Sequence, residues 1–176
     1  MRASVDQLAQ RLSSVVRSSR VIVDDATRAA HRIDGVTAAL QVSPESIEQL
    51  AAVVRHCSEA DAAMIPWAGG TAIALGNPPR RADVVIQLGK LTRVIEHDAA
   101  NLTVSAECGL TLAALQSTLA PKKQFAPVTP PFPDRATLGG TVAANLNGPR
   151  RSYYGGVRDL VIGIKFVLPS GELIKA

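Results

Sequence analysis

The chain carries, at Pro66-Trp67-Ala68-Gly69-Gly70-Thr71-Ala72, a run of small residues that directly follows the apolar stretch Ala62-Ala63-Met64-Ile65. The apolar stretch predicts a short buried strand, and the small residues predict a turn after it. Glycine lets a backbone approach a ligand closely, and successive N–H groups in such a turn form an anion-binding nest. The segment therefore indicates a binding loop, although a lone glycine loop is more often only a tight turn.

A second cluster of small residues reads Thr137-Leu138-Gly139-Gly140-Thr141-Val142-Ala143-Ala144-Asn145. We interpret its glycines as a second loop next to a strand, followed by a short helix of small residues. Two such loops indicate a clamp around a long cofactor that carries phosphate groups. The alternative for Gly139 and Gly140 is close packing of a helix on a strand, which glycine also permits.

Length and composition favour a globular chain that acts on small molecules. The chain has 176 residues, of which 47% are hydrophobic and 19% charged, enough for one domain or two small lobes. The net charge of +4 is mild, and no basic stripe alternates with aromatic residues, which argues against nucleic-acid binding. No apolar run reaches the length of a membrane span, and Met1-Arg2-Ala3-Ser4-Val5-Asp6 lacks the apolar core of a signal peptide.

The reactive residue types show no recognisable catalytic or metal-binding pattern. Cys57 and Cys108 lack a CxxC or metal-ligand spacing and are predicted to be free thiols, which fits the cytoplasm. His31, His56 and His97 are scattered along the chain and are more typical of surface or structural histidines. Walker A and G-x-G-x-x-G patterns are absent, so we assign no catalytic residue and no metal site.

Two helix starts carry capping signals. Apolar residues at helical spacing predict a helix over 4–18, with Ser4 and Gln7 as a capping box. Ser43 and Pro44 predict the cap and first position of the next helix.

The remaining pattern favours an α+β fold with two lobes. Antiparallel hairpins around 94–106 and at the C-terminus argue against a doubly wound parallel sheet. We expect a single domain over 1–176, with the N-terminal helix, a first lobe at about 20–98 and a second at about 99–176. The chain stops inside a hairpin, so we expect it to be truncated at its C-terminus. The predicted strands are 21–23, 40–42, 63–66, 84–88, 94–97, 102–106 and 160–168, with a return strand from Leu173.

Taken together, these motifs resemble a known family of flavoproteins. The two glycine clusters and Val104-Ser105-Ala106-Glu107-Cys108-Gly109 are similar to the FAD-binding domain of the vanillyl-alcohol oxidase and p-cresol methylhydroxylase (PCMH) type, the FAD-linked oxidases. The block from Gly148 through Gly163 is most similar to the FAD-binding subunit of bacterial glycolate oxidase. The resemblance covers roughly residues 40–176 and implies two α+β lobes with FAD held between them.

The resemblance also implies roles for individual residues. The loop 66–72 would hold the FAD pyrophosphate through its backbone N–H groups, and Gly76 and Asn77 would lie beside the ribityl or flavin end. Ile162 and Val167 would lie on a strand that covers the adenine. The other implied contacts, from the second lobe, are Thr137, Leu138, Gly139, Gly140, Ala143, Ala144, Asn145 and Gly148.

Three positions depart from or refine the family pattern. Trp67 and Ala68 stand where the family often has Arg and Gly, and a Trp there could change the path of the loop or cover the flavin. Thr71 stands where some members carry the His that bonds covalently to flavin. No other nucleophile is evident in the loop, so we expect FAD to be bound non-covalently.

The resemblance implies a flavin-dependent oxidoreductase that oxidises a 2-hydroxy acid such as glycolate, with the substrate domain missing from this chain. A non-catalytic FAD-binding or assembly subunit of a multi-subunit oxidase is the alternative, because an open strand edge invites pairing. Such partner subunits could also attach the protein to a membrane. A small domain without a ligand is the third reading. Arg150 and Arg151 could face a phosphate, a partner or solvent, and Tyr153 and Tyr154 could touch the flavin or only pack.

Overall fold

The computed structural model of the chain describes residues 4–176, so Met1, Arg2 and Ala3 of the N-terminal segment considered above lie outside the described residues. Helices and strands are mixed along the chain, as predicted. The α-helices are Val5–Val15 (α1), Asp25–Ala29 (α2), Ile47–Glu59 (α3), Leu112–Leu119 (α4), Leu138–Ala144 (α5), Arg151–Tyr154 (α6) and Val157–Leu160 (α7). The strands are Val21–Ile22 (β1), Leu40–Val42 (β2), Met64–Trp67 (β3), Val84–Gln87 (β4), Val94–Asp98 (β5), Thr103–Ala106 (β6), Lys165–Val167 (β7) and Leu173–Lys175 (β8).

The chain divides into two compact units that are discontinuous in sequence. The first unit comprises Met1–Trp67, Ile73–Lys90 and Gly163–Ala176, and the second comprises Ala68–Ala72 and Leu91–Ile162. The glycine loop Ala68–Ala72 therefore belongs to the second unit, although β3, which leads into it, belongs to the first.

A four-stranded sheet organises the first unit, in the order β1-β2-β4-β3. Strands β2, β4 and β3 are parallel, and β1 pairs with β2 in the antiparallel sense. Alternate residues of β2 and β4 point to one face, where they meet α1 and α3 in the core of the unit. The most buried members of this core are Leu12, Leu40, Val42, Val53, Cys57 and Val84.

The first helix confirms its predicted cap. The Ser4 hydroxyl accepts a hydrogen bond from the Gln7 N–H, and the Gln7 side chain accepts one from the Ser4 N–H. This reciprocal pair is the capping box, and it satisfies two N–H groups that the first turn leaves without helical partners.

The second predicted helix start was wrong by three residues. Helix α3 begins at Ile47, and its cap is Ser46, whose hydroxyl accepts from the Gln49 N–H at 3.3 Å. Ser43 still belongs to the sheet, because its N–H donates to the Arg20 carbonyl at 3.0 Å and extends the pairing of β1 with β2, so the chain has not yet turned into the helix there. Ser43 therefore remains in the sheet, and the next serine, Ser46, caps the helix.

The second unit contains the predicted hairpin of β5 and β6, paired in the antiparallel sense. Asp98 fixes its turn, because its carboxylate accepts hydrogen bonds from the side chain and backbone of Asn101 and from the Ala100 N–H. These hydrogen bonds, foremost that from the Asn101 side chain, lower the pKa of Asp98.

Helix α4 supplies the core of the second unit. Thr111 caps it, with its hydroxyl accepting from the Ala114 N–H at 3.2 Å. Leu112, Leu115 and Leu119 are buried on one face of the helix, together with Leu110. Apolar residues of the β5–β6 hairpin and of the proline-rich loop, among them Val104 and Val128, pack against them.

The predicted strand 160–168 was wrong in its first half. Residues Val157–Leu160 form α7, in which the Asp159 carboxylate accepts from the Gly156 N–H at 2.7 Å, and only Lys165–Val167 is a strand. Strand β7 pairs with β8 alone, and Val161–Gly163 has no opposing strand within residues 4–176. In the described part of the chain, no helix is both long and apolar enough to cross a membrane.

Candidate cofactor site

A glycine loop follows β3 as predicted, but it begins at Ala68 because Pro66 and Trp67 lie in the strand. The backbone donors of this loop, Ala68–Ala72, are free of acceptors within the described residues. None of the five N–H groups from Ala68 to Ala72 donates a hydrogen bond of normal geometry to an acceptor within residues 4–176. Gly70 has a φ of 64°, in the left-handed region that favours glycine. The loop is only half-buried, so these donors are open to water or to a ligand. The loop can therefore offer these donors to an anionic ligand.

Gly69 holds this loop against another segment of the second unit. A Cβ at Gly69 would lie 1.8 Å from the carbonyl oxygen of Arg135 and 2.8 Å from its carbonyl carbon. No side chain fits at such distances, so glycine is required for the backbone contact. Because Arg135 lies two residues before Thr137, this contact brings the first glycine loop beside the second glycine cluster.

The second glycine cluster is the first turn of a helix rather than a loop, which corrects that part of the sequence interpretation. Helix α5 begins at Leu138, and Thr137 caps it with its hydroxyl, which accepts from the Gly140 N–H at 3.3 Å. The Leu138 N–H donates to the Leu110 carbonyl, and the Gly139 N–H to the Cys108 carbonyl, both at 2.8 Å. These donors are already used, so the cluster can offer a ligand its small surface but not these three N–H groups.

The two glycines of α5 have different surroundings. A Cβ at Gly139 would lie 2.6 Å from the Cβ of Cys108 and 3.0 Å from its carbonyl oxygen, so close packing requires this glycine. Gly140 is exposed, and a Cβ there would meet only the Thr137 hydroxyl, at 3.1 Å. Gly140 is therefore the member of the pair with an open face for a ligand.

The end of α5 and the following loop complete the predicted set in the second unit. Asn145 ends the helix with a φ of 48°, and its N–H donates to the Val142 carbonyl at 3.2 Å. A Cβ at Gly148 would lie 2.1 Å from the Thr129 hydroxyl, so this glycine packs on the proline-rich loop. Ala143 is exposed and Ala144 is half-buried.

The other predicted residues lie in the first unit or apart from the glycine clusters. Pro66 is exposed on β3, and Gly76 and Asn77 are exposed after the loop. Val167 lies in β7 as predicted, but Ile162 lies outside any strand and is 84% exposed, so the two residues do not share one. The expected common strand does not form because the residues after α7, Val161–Gly163, have no opposing strand within residues 4–176.

Trp67, the last residue of β3, is held by His31. The two rings meet edge to face, with centroids 5.0 Å apart and an angle of 85° between their planes. The Trp67 carbonyl also accepts from the Leu88 N–H at 2.7 Å, which anchors the end of β3 to β4. His31 thus has a structural contact, and Trp67 is fixed at the point where the loop begins.

Sequence reasoning missed the contacts that support the two clusters. Arg135, Cys108 and Thr129 each meet a glycine of the predicted set, yet each is distant from it in sequence. No local pattern signals such a contact. Cys108 is half-buried beside Gly139, and burial raises the pKa of its thiol.

The site offers neutral donors and small surfaces rather than metal ligands. Within residues 4–176, no group of three or more His, Cys, Asp or Glu side chains could hold a metal ion. Free amides in a glycine-rich turn are suited to phosphate oxygens. The residues present therefore fit a phosphate-bearing cofactor.

Comparison with known proteins identifies the class to which this domain belongs, the flavin-binding domains. The chain belongs to the FAD binding domain family, whose model matches residues 38–176. Among solved structures, alkyldihydroxyacetonephosphate synthase superposes with a TM-score of 0.87 at 20% identity, covering 99% of this chain and 38% of that one. p-Cresol methylhydroxylase superposes with a TM-score of 0.81 at 18% identity, over 97% of this chain and 35% of that one. The predicted two-lobed, PCMH-type α+β fold is thereby confirmed.

Curated relatives extend the comparison to named enzymes. The glycolate oxidase subunit GlcD of Bacillus subtilis is 28% identical over 134 residues, which are 76% of this chain and 28% of the relative. A D-lactate dehydrogenase of Anaerostipes hadrus is 35% identical, again over 76% of this chain and 28% of the relative. A D-2-hydroxyglutarate dehydrogenase of Xanthomonas citri is 30% identical over 75% and 28%. The chain thus spans about 28% of the length of these relatives.

Proposed function

We propose that this chain binds FAD non-covalently and forms the cofactor-binding part of a flavin-dependent oxidoreductase that acts on a 2-hydroxy acid. The observation that carries the proposal is the loop Ala68–Ala72, whose five backbone N–H groups find no acceptor within the described residues. In a chain of the FAD binding domain family, these donors are suited to the pyrophosphate of the cofactor. The Thr71 hydroxyl can add a further donor.

Each part of the predicted set has a distinct task in this proposal. Gly69 allows the close contact with Arg135 that keeps the loop beside α5, and Gly70 supplies the left-handed turn. Gly140, Ala143 and Ala144 present a surface of small residues to the cofactor. Pro66 to Ala72 contain no His, Cys or Tyr, so this loop has no nucleophile for a covalent flavin bond.

The substrate class follows from the relatives, whose names specify glycolate, D-lactate and D-2-hydroxyglutarate. All three compounds are 2-hydroxy acids. FAD held by the loop Ala68–Ala72 would supply a hydride acceptor for the carbon that bears the hydroxyl group, and this oxidation would leave a 2-oxo acid. The residues that bind the substrate and accept the hydroxyl proton would come from the remainder of a longer protein. We also propose that other subunits of a multi-subunit oxidase are partners of this protein.

We also propose that the protein is located in a reducing compartment such as the cytoplasm. Both cysteines are free thiols, Cys57 buried and Cys108 half-buried. Free cysteines persist where the surroundings keep thiols reduced.

A titration with flavins of increasing length tests cofactor binding. We expect saturable binding of FAD with a rise in Tm, because a ligand that binds only the folded state stabilises it. Riboflavin, which lacks the pyrophosphate, should bind at least about tenfold more weakly if the loop donors carry the affinity. Equal binding of FAD and riboflavin, or no binding of FAD, would refute the role of the loop.

A pair of glycine variants separates the loop from general stability. Gly70→Ala and Gly35→Ala both force a side chain onto a glycine with positive φ, 64° and 89°. Both should lose about 1 kcal/mol of stability through backbone strain. Only Gly70→Ala should weaken FAD binding, because only Gly70 lies in the loop. An equal loss of FAD affinity in both variants would mean that strain alone explains the effect.

A further inference from the structure

Three aromatic side chains meet on the surface of the second unit. The rings of Phe125 and Tyr154 lie edge to face with centroids 5.6 Å apart, and those of Tyr153 and Tyr154 are 4.7 Å apart. The chain has only three Phe, two Tyr and one Trp, so half of its aromatic residues gather at this place. They are also exposed, by 47% for Phe125, 85% for Tyr153 and 42% for Tyr154. Their exposure shows that the core of the unit does not need them.

A cavity of about 410 Å³ lies beside this aromatic cluster, within the second unit. Its volume is at the small end of the range of about 300–1,000 Å³ that small-molecule sites occupy. None of its lining residues belongs to the loop Ala68–Ala72 or to α5. The walls are mainly apolar and are formed by Leu112, Phe125, Val128, Pro130 and Pro133, with Thr129, Gln116 and Arg150 as the polar members.

Arg150 is the charged residue of this cavity. Its guanidinium carbon lies 4.9 Å from the centre of the Phe125 ring, a cation–π contact that orients the group. Arg150 forms no ion pair with an acidic side chain anywhere in residues 4–176. A guanidinium without an acidic partner suits a carboxylate, which its N–H groups can bind through two parallel hydrogen bonds.

Gln116 shapes the wall of the cavity, whereas the Thr129 hydroxyl has no hydrogen-bond partner within residues 4–176. The Gln116 side chain donates to the Ala126 carbonyl at 2.5 Å and accepts from the Ala126 N–H at 3.2 Å, so both ends of its amide are used. This pair fixes the loop that carries Phe125 and Val128 against α4. The Thr129 hydroxyl is buried against the Gly148 backbone. The cavity is therefore largely formed before any ligand enters, which favours binding.

We propose that this cavity is a second ligand site, for a small aromatic carboxylate whose ring enters the apolar space and whose carboxylate pairs with Arg150. A flat ring suits walls made of proline and phenylalanine, and a single anionic group matches the single guanidinium. The lining residues lie outside the loop Ala68–Ala72 and α5, and Thr129 adjoins Gly148 of the predicted cofactor set. The proposal does not depend on FAD binding.

Calorimetric titration of the chain with 2-naphthoate tests the proposal. The same titration with 2-naphthylmethanol, a neutral molecule of similar shape, isolates the role of charge. We expect Arg150→Gln to weaken naphthoate binding about tenfold and to leave naphthylmethanol binding unchanged, because it removes a charge-assisted hydrogen bond. Arg151→Gln, which changes the neighbouring exposed arginine outside the cavity, is the matched control and should alter neither titration.

Each outcome decides the proposal. It fails if the parent chain does not bind naphthoate at millimolar concentration, or if Arg150→Gln binds it as the parent does. Equal loss in Arg151→Gln would show only a general effect of surface charge and would also refute it. Repeating the titration with saturating FAD tests separateness: an unchanged naphthoate affinity supports a second site, whereas competition would place the cavity within the FAD site. If FAD itself does not bind, the naphthoate titrations still decide this proposal alone.

Discussion

The carbonyl oxygen of Arg135 occupies the space that a side chain on Gly69 would fill, since a Cβ at Gly69 would lie 1.8 Å from it. This single backbone contact joins the loop after β3 to the segment that leads into α5. Both segments belong to the second unit. The two glycine clusters of the sequence are therefore neighbours because one glycine has no side chain.

Gly69→Ala should disrupt this contact. The added methyl group cannot fit beside a fixed carbonyl group, so the loop must move, at a cost of about 1–3 kcal/mol or more. We expect a lower Tm and a weaker FAD affinity, measured by thermal unfolding and by FAD titration. Gly89→Ala is the control, because a Cβ at Gly89 would meet no atom within 4 Å. If Gly69→Ala melts and binds FAD as Gly89→Ala does, the contact is not required.

Neighbouring glycines in α5 should respond differently to the same change. Gly139→Ala should destabilise the chain by about 1–3 kcal/mol, because the new methyl group would press on the Cβ and carbonyl of Cys108. Gly140→Ala meets only the Thr137 hydroxyl and gains helix propensity of up to about 1 kcal/mol, so its stability should change little. Urea unfolding of both variants measures the difference. Equal stability losses would contradict the assignment of Gly139 as the packing residue.

Local patterns sufficed for several elements of the fold. The capping box of Ser4 and Gln7, the cap at Thr111 and the hairpin turn at Asp98 depend on residues within three or four positions of one another, so the sequence displays them directly. Ser43 shows the limit of such patterns. It has the right residue type for a cap, but its backbone still continues the pairing of β1 with β2. That pairing joins residues that are far apart in the sequence, so no local pattern predicts it.

The candidate site shows the same limit. Glycine clusters indicate places where a backbone comes close to a ligand or to another segment of the chain, and the sequence displays both clusters directly. The clusters do not reveal what comes close: Gly69 meets Arg135 and Gly139 meets Cys108, both far away in sequence. The strand expected to carry Ile162 fails for a related reason. Its β-branched residues favour a strand, but no strand within residues 4–176 lies opposite Val161–Gly163.

Glu107→Gln should make stability less dependent on acid pH. The Glu107 carboxylate accepts from the Arg93 side chain at 2.9 and 2.7 Å and from the Arg93 N–H at 2.8 Å. Burial of the Glu107 carboxyl raises its pKa, but these hydrogen bonds and the charge of Arg93 outweigh burial and hold the pKa below its usual value. The pair therefore stabilises the fold at and above the unfolded-state pKa of about 4.3, and this stabilisation is lost as pH falls through the folded-state pKa.

Urea unfolding at pH 7 and near pH 3 measures this effect. At pH 7 the variant should lose about 1 kcal/mol, a modest value because the Arg93 side chain is exposed and the charges are screened. Near pH 3 the gap between parent and variant should narrow. Glu96→Gln removes an exposed carboxyl of β5 that has no ion pair within the described residues, so it should change stability little at either pH. A gap for Glu107→Gln that stays constant with pH would contradict the ion-pair explanation.

The two thiols should differ in reactivity toward iodoacetamide. Cys57 is fully buried in the core of the first unit, and burial raises the pKa of its thiol to about 12. Because the thiolate is the reactive form, Cys57 should resist alkylation at pH 8 for as long as the chain stays folded. Cys108 is only half-buried, so it should react faster than Cys57 but more slowly than a free thiol. Peptide mass spectrometry after timed labelling resolves the two sites, and labelling in denaturing guanidinium chloride gives the unfolded reference. If Cys57 in the native chain is alkylated as fast as in the unfolded chain, the result would contradict its burial between α3 and the sheet.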